Sequence, residues 1–306
     1  VVSSPCTWIW RTDSLASRIG MLGARAALRS RPQPVPPGER PAIFDAVPGQ
    51  VLRVAEPVFE TRSVLRALAR PHLERLVRVK GPEGIELSSR SGEIDTVTLR
   101  GESGEILLRP RSVVLAAGTG NEGILSRLGL DAGIAQRRPL HMTLLRSPDL
   151  PLLHGHCVDG NRTRVTVTSG HDDRGSVVWQ LGGELAENGV GRSAEDLMRH
   201  ASREIQQALP ALDLTAMRDV EWATYRVDRA ELKTRRWARP DGAFVNGSDD
   251  IITVWPTKMV LAPNAAEKVD ALIEQTSAGN GTSAVPFIEQ PTPHVASPPW
   301  ETARWS

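Results

Sequence analysis

The segment Ser112-Val113-Val114-Leu115-Ala116-Ala117-Gly118-Thr119-Gly120-Asn121-Glu122-Gly123 narrows the choice of fold more than any other. A short apolar run, β-branched at its start and closed by glycine, reads as a strand buried on both faces, as in a parallel sheet. Its Ala-Ala-Gly-Thr-Gly end carries no bulky side chain, so a second backbone or a flat ligand can come close. Ligands of open α/β sheets bind just beyond the carboxyl ends of the strands, where this end lies. Taken alone, the segment is equally a buried strand followed by a glycine turn.

Upstream, Ile85–Ser89, Ile94–Arg100 and Glu105–Arg109 alternate as short strands with turns at Ser91-Gly92 and Ser103-Gly104, a small antiparallel meander. Before them, Gln50–Ala55 reads as a strand, Arg62–Ala69 as a short helix capped by Thr61 with Val64, Leu65 and Leu68 inward, and Leu73–Val79 as a strand. Residues 14–29 repeat Leu15, Ile19, Leu22 and Ala26 at helical spacing, and the proline-rich stretch after Arg31 forbids regular structure. Trp8 and Trp10 alternate on a short extended piece and read as packed side chains.

Downstream, Arg138–Arg146, Leu153–Val158, Arg164–Ser169 and Ser176–Leu181 follow one another without helices, which predicts an antiparallel sheet. Ser193 caps a helix whose apolar face is Leu197, Met198, Ala201, Ile205, Ala208 and Leu209, ended by Pro210. Strands follow at Val220–Val227 and Ala243–Val245, the latter turning at Asn246-Gly247 into a buried strand, Ile251–Trp255. A helix near Pro263 buries Ala266, Val269, Leu272 and Ile273. The Ser-, Gly-, Thr- and Pro-rich remainder reads as a disordered tail.

With 306 residues and 40% hydrophobic content, the chain supports one large or two ordinary domains. Lys+Arg 37 against Asp+Glu 36 leaves a formal charge of +1, which gives no electrostatic ground for nucleic-acid binding. No apolar run reaches the roughly 20 residues of a transmembrane segment. Two cysteines, Cys6 and Cys157, are too few for a disulfide framework, so a reducing, cytoplasmic setting is expected. The start, Val1-Val2-Ser3-Ser4-Pro5, lacks an initiator Met and signal-peptide features and reads as a cut.

The meander leading into Val113-Val114-Leu115-Ala116-Ala117-Gly118 resembles the second half of the flavin domain in FAD-dependent oxidoreductases of the D-amino-acid oxidase and glycerol-3-phosphate dehydrogenase superfamily. The resemblance runs from about Val51 to Gln275. It implies an α/β fold: an incomplete Rossmann-like FAD-binding domain (47–138 and 248–275), and a substrate domain of antiparallel sheet and helices (139–247). An N-terminal helix and loop (1–46) and the tail (276–306) flank them. It further implies FAD as cofactor, a small amine, amino acid or alcohol as substrate, and oxygen or a quinone as electron acceptor. In that family a backbone group near Val77 meets the adenine, and Ala116, Ala117 and Gly118 lie beside the flavin.

The segment Thr253-Val254-Trp255-Pro256-Thr257-Lys258-Met259 is similar to the family's Gly-Gly-Lys-Leu-Thr-Thr-like turn, whose N–H groups and lysine face the pyrimidine end of the flavin. Reduction puts negative charge there, which a helix N-terminus and a cation stabilise. Trp255 and Pro256 depart from the paired glycines. Lys258 is either this flavin contact or a solvated lysine. Arg226, in Ala223-Thr224-Tyr225-Arg226-Val227-Asp228, resembles the arginine that binds the substrate's anionic group; the other reading is a surface arginine paired with a neighbour, Asp228 included. His141 and His156 are candidate general bases, or simply packed. His154 and His156 lack further ligands at zinc spacing, so no metal is expected.

The family's first-strand Gly-x-Gly-x-x-Gly segment is missing ahead of residue 112. Gly118, Gly120 and Gly123 match the bare spacing, as a dinucleotide cradle or as a glycine turn beside the flavin. This predicts an N-terminally truncated enzyme, short of very roughly a hundred residues. The alternatives are a non-catalytic binding or subunit protein that keeps the fold without the cofactor, and an α+β domain with coincidental likeness.

Overall fold

The computed structural model describes residues 1–12, 31–90, 93–102, 104–130, 133–160, 162–234, 242–248, 250–255, 257–276 and 295–306. The helix expected over 14–29, the turn at Ser91-Gly92, Pro256 and most of the expected tail lie outside them. The chain forms two compact units. One comprises Val1–Leu68, Pro139–Val227 and Val295–Ser306; the other comprises Ala69–Arg138 and Asp228–His294.

The first unit is built on an eight-stranded sheet. Its spatial order is Glu221–Leu232, Ala135–Ser147, Val177–Gly182, Arg162–His171, Gly155–Asp159, Thr7–Trp10, Val51–Val54, Gln33–Pro34. Alternation sends Leu145, Trp179, Leu181, Val165, Val167, Cys157 and Trp10 to one face. The helix Ala194–Ala208 covers that face with Leu197, Ala201 and Ile205, all fully buried. Ser193 accepts from Asp196 N (3.1 Å) and so caps the helix as the sequence predicts. Burial of Leu197 and of Ile205 contributes about 1.5–3 kcal/mol each.

Three expectations change here. The sheet is not purely antiparallel, because Thr7–Trp10 inserts parallel to Gly155–Asp159, with Trp8 opposite Gly155 and Trp10 opposite Cys157. Only glycine allows this approach: a Cβ on Gly155 would lie 2.3 Å from Trp8 O. Residues 295–306 are ordered rather than a free tail. Trp300, Ala303 and Trp305 pack on Leu144, Val178 and Ala223, on the sheet face opposite the helix. Trp222 and Ser306 exchange both backbone hydrogen bonds (2.9 and 3.0 Å). Two tryptophans bring enough apolar area to order a segment whose average composition suggests disorder. Finally, the short helix Thr61–Ala69 is capped by Glu60, whose carboxylate accepts from Arg62 N (2.8 Å) and Ser63 N (2.5 Å). Its Leu65 and Leu68 are exposed, not inward.

In the second unit the meander is present as Ile85–Arg90, Glu93–Gly101 and Gly104–Leu108, in that order. The strand expected at Leu73–Val79 is not: Arg70–Arg75 is a 3-10 turn begun by Pro71, and only Val79 makes a bridge, to Gly101. A second sheet has the order Phe244–Ser248, Ile251–Trp255, Val113–Leu115. Asn246 and Gly247 sit inside the first of these strands, opposite Thr253 and Ile252, and the pairing runs past the predicted turn to Ser248 opposite Ile251. Ile251–Trp255 is the strand buried along its whole length, whereas Val113–Leu115 leaves Val114 40% exposed. Ile251 and Trp255 join Leu115, Ile124, Leu125 and the meander's Ile94 and Val97 in one cluster. Ile252 and Val254 face the helix Ala262–Thr276, which buries Ala265 in place of the expected Ala266.

Candidate functional site

Two distant segments meet in the second unit. Val113, Val114 and Leu115 pair in parallel with Ile251, Ile252 and Thr253, which brings both carboxyl ends to one edge of the sheet. Beyond Leu115, Ala116 and Ala117 are exposed, as are Gly120 and Gly123 in the helix Gly120–Arg127. Gly118 holds φ +59°, and a Cβ there would meet no atom within 4 Å. The result is a wall bare of side chains. The glycine spacing here opens a helix of 8 residues, ended near Gly129 at φ +71°.

Asn121 ties the two strand ends together. It is completely buried; its Nδ2 donates to Leu115 O (3.0 Å) and Val254 O (3.2 Å), and its Oδ1 accepts from Ala117 N (2.7 Å). Trp255 adds a tie of its own, with Nε1 donating to Gly118 O (3.2 Å). Trp255 is only 1% exposed and tilts against Phe244, so its indole positions the wall and offers a cofactor no surface. Sequence reasoning missed Asn121. The available signal was a lone amide inside a run of glycines directly after a strand.

Past Trp255 the chain reaches Thr257, a β-branched residue at φ +64° whose buried Oγ1 has no partner among the described residues. A buried hydroxyl without a partner on a left-handed backbone is costly and is the kind of feature that clusters at binding sites. Lys258 and Met259 follow, both exposed, and Leu261 N donates to Lys258 O (2.9 Å) to open the turn Met259–Leu261 and the helix Ala262–Thr276. Lys258 has no carboxylate partner among the described residues. A bare wall, an orphaned hydroxyl and an uncompensated cation at one sheet edge suit a flat, electron-accepting ring that gains negative charge. Val77 is half-buried in an irregular stretch of the same unit and pairs with none of these residues.

The remaining candidates belong to the first unit. Arg226 is exposed and donates through Nη1 to Val190 O (2.8 Å) and Nη2 to Arg192 O (3.1 Å). These acceptors are carbonyl oxygens, so its charge is not cancelled by them. His141 is buried with Nδ1 3.2 Å from Gly189 O; burial, aided by the Arg226 charge, holds its pKa below the usual histidine value. His154 is buried too, with Nε2 unpartnered among the described residues and its pKa lowered by burial, while His156 Nδ1 sits 3.0 Å from Thr166 Oγ1. Burial pushes the Cys157 thiol up to about 12, which makes it inert. Among the described residues no group of three His, Cys, Asp or Glu side chains is placed to hold a metal ion, and no helix is long and apolar enough to cross a membrane.

No protein-family model matches the chain. It is 35% identical over 307 residues to a probable FAD-dependent oxidoreductase, PA4991, of Pseudomonas aeruginosa, covering 98% of this chain and 75% of that protein. The crystal structure of that FAD-dependent oxidoreductase superposes with a TM-score of 0.79 over 98% of this chain and 76% of that one. L-proline dehydrogenase from P. horikoshii shares the fold at 14% identity and a TM-score of 0.60, over 90% of this chain and 73% of the other. FAD-bound L-alpha-glycerophosphate oxidase from Mycoplasma pneumoniae does so at 11% identity and a TM-score of 0.57, over 89% and 73%. The chain belongs to the FAD-dependent oxidoreductases.

Proposed function

We propose that this oxidoreductase removes a hydride from a C–H bond beside the nitrogen of a small amine or amino acid, or beside the oxygen of an alcohol. FAD, when bound, would supply the hydride acceptor, with oxygen or a quinone as the final electron acceptor. The observation that supports this reading is the parallel pairing of Val113–Leu115 with Ile251–Thr253, which sets the bare Ala116–Ala117 wall and the Thr257–Lys258 turn at one edge.

In this reading Ala116, Ala117 and Gly118 lie along the flavin, and Trp255 holds Gly118 in place through its indole N–H. Lys258, with the N–H groups of Thr257 and Met259, stabilises negative charge at the pyrimidine end. Pro256, a proline, has no N–H to offer. The backbone at Val77 meets the adenine. Arg226, fixed by its two carbonyl partners, offers its charge to an acidic group on the substrate. The proton released from substrate nitrogen or oxygen passes to solvent or to an imidazole, with His141 and His156 the candidates.

The test is purification of the protein from its intact reading frame. Flavin absorption in the visible, FAD in the denatured supernatant, and anaerobic bleaching by one member of an amine, amino-acid and alcohol panel are expected. Folded, colourless protein that takes up no added FAD overturns the proposal and favours a non-catalytic binding or subunit role.

A further inference from the structure

The last register pair between the two parallel strands is Leu115 with Thr253. Past it, an ordinary sheet would continue with backbone rungs, but here the chains part, one into Ala116–Gly118 and the other towards Thr257. The side chain of Asn121 stands where the next rung would be. Its two amide protons go to carbonyls on different strands, Leu115 O and Val254 O, and its oxygen takes Ala117 N. Both donors are used and an acceptor lone pair is filled, in a side chain with no exposed surface. That pattern also fixes which way the amide faces, since the reverse would set its oxygen against two carbonyl oxygens.

No common side chain replaces it. Aspartate has the shape but no donor for either carbonyl, and leucine leaves an N–H and two C=O groups unpaired. Glutamine is longer by a methylene in a fully packed place. Glu122, the next residue, is turned outward to Arg137 (2.9 Å) and cannot substitute.

We infer that Asn121 is the positioning residue of the cofactor site: by tying Leu115 and Ala117 to Val254, it sets the separation between the Ala116–Gly118 wall and the Thr257–Lys258 turn, and so the fit of the flavin ring. The inference rests on the cofactor reading proposed above. Asn121 touches no reacting atom. Its effect is on how tightly, and in what geometry, the flavin is held.

The test compares wild type with Asn121→Asp in the purified full chain, by FAD titration, visible circular dichroism of the bound flavin, and thermal unfolding without FAD. At neutral pH the carboxylate opposes two carbonyl oxygens, so FAD binds about tenfold or more weakly with an altered visible signal. At about pH 5 a buried, protonated Asp donates once more, and part of the lost affinity returns, while wild type shows no such recovery. If Asn121→Asp does not fold, Asn121→Ser carries the test: weaker FAD binding with FAD-free unfolding within a few degrees of wild type supports the role. Asn121→Asp or Asn121→Ser that folds and binds FAD like wild type, with an unchanged flavin spectrum, overturns it. Affinity lost equally at both pH values, in step with lost thermal stability, reduces Asn121 to a packing role and also overturns it. Wild type that takes up no FAD overturns the cofactor reading itself.

Discussion

Thr257 is a place where stability and cofactor binding should pull in opposite directions. A non-glycine residue in the left-handed region costs about 1–2 kcal/mol, with β-branched side chains at the upper end, and Thr257 sits there at φ +64°. Its buried, unpartnered Oγ1 carries a further desolvation cost of about 1–3 kcal/mol. Replacing it with glycine removes both, against roughly 0.5–1 kcal/mol of added unfolded-chain freedom and about 0.5–1 kcal/mol of lost methyl burial. The balance predicts that Thr257→Gly stabilises the FAD-free protein by about 2 kcal/mol. FAD affinity should meanwhile fall about fivefold, the worth of one hydrogen bond of roughly 1 kcal/mol. Urea unfolding followed by tryptophan fluorescence gives the first quantity and FAD titration the second. Thr257→Val separates the causes, because it keeps the strained backbone and loses only the hydroxyl. A Thr257→Gly protein that is less stable than wild type, or that binds FAD equally well, refutes the idea that this strain is held for a ligand.

Other outcomes follow from the first unit. Arg146 donates to buried Asp172 (3.0 Å) and to Glu221 (2.7 Å), and its guanidinium lies 4.2 Å from the Trp305 ring centre. Arg146→Met should cost about 3 kcal/mol, nearly all from the stranded Asp172 and the lost cation–π contact, since Glu221 is partly solvated; a shift in the urea midpoint worth less than about 1 kcal/mol contradicts this. A Cβ on Gly170 would meet Trp300 ring carbons at 2.8 and 2.9 Å, so Gly170→Ala should loosen residues 295–306 and speed amide exchange at Trp222 and Ser306. Unchanged exchange would count against the packing described. His154 has its folded-state pKa below the unfolded value of about 6.5, so the unfolded chain takes the proton first. Stability should be full above about pH 6.5 and decline as pH falls towards the folded-state pKa; His154→Asn, which keeps an acceptor for Ser169 N, should flatten part of that slope and leave the share due to His141.

Local pattern was legible wherever one residue type decides the outcome. Ser193 capped its helix, the meander strands alternated as written, and the glycines after Leu115 opened the chain. It failed where a neighbour in space decides. Leu73–Val79 alternates like a strand, yet Pro71 starts a 3-10 turn there. Thr7–Trp10 looks like an isolated extended piece, yet it completes a sheet because Gly155, distant in sequence, leaves room for Trp8. At the site, Lys258 and the Ala-Ala-Gly wall were readable as chemistry, while Trp255 looked like an intruder. Its indole turned inward and became a tie to Gly118.

Hydrophobic period, caps and glycine spacing determined the elements of this protein, because each acts over a few residues and needs no partner. The resemblance around Ala117 and Lys258 pointed to an FAD-dependent oxidoreductase, and the 35% identical relative bears that family out. Only the tertiary structure decided that Val113–Leu115 is left partly exposed beside the fully buried Ile251–Trp255, and that Val295–Ser306 packs on a sheet face. It alone showed Asn121 spanning two strands far apart in the chain. Such choices depend on which surfaces and unpaired N–H and C=O groups meet after folding, and no local pattern carries that information.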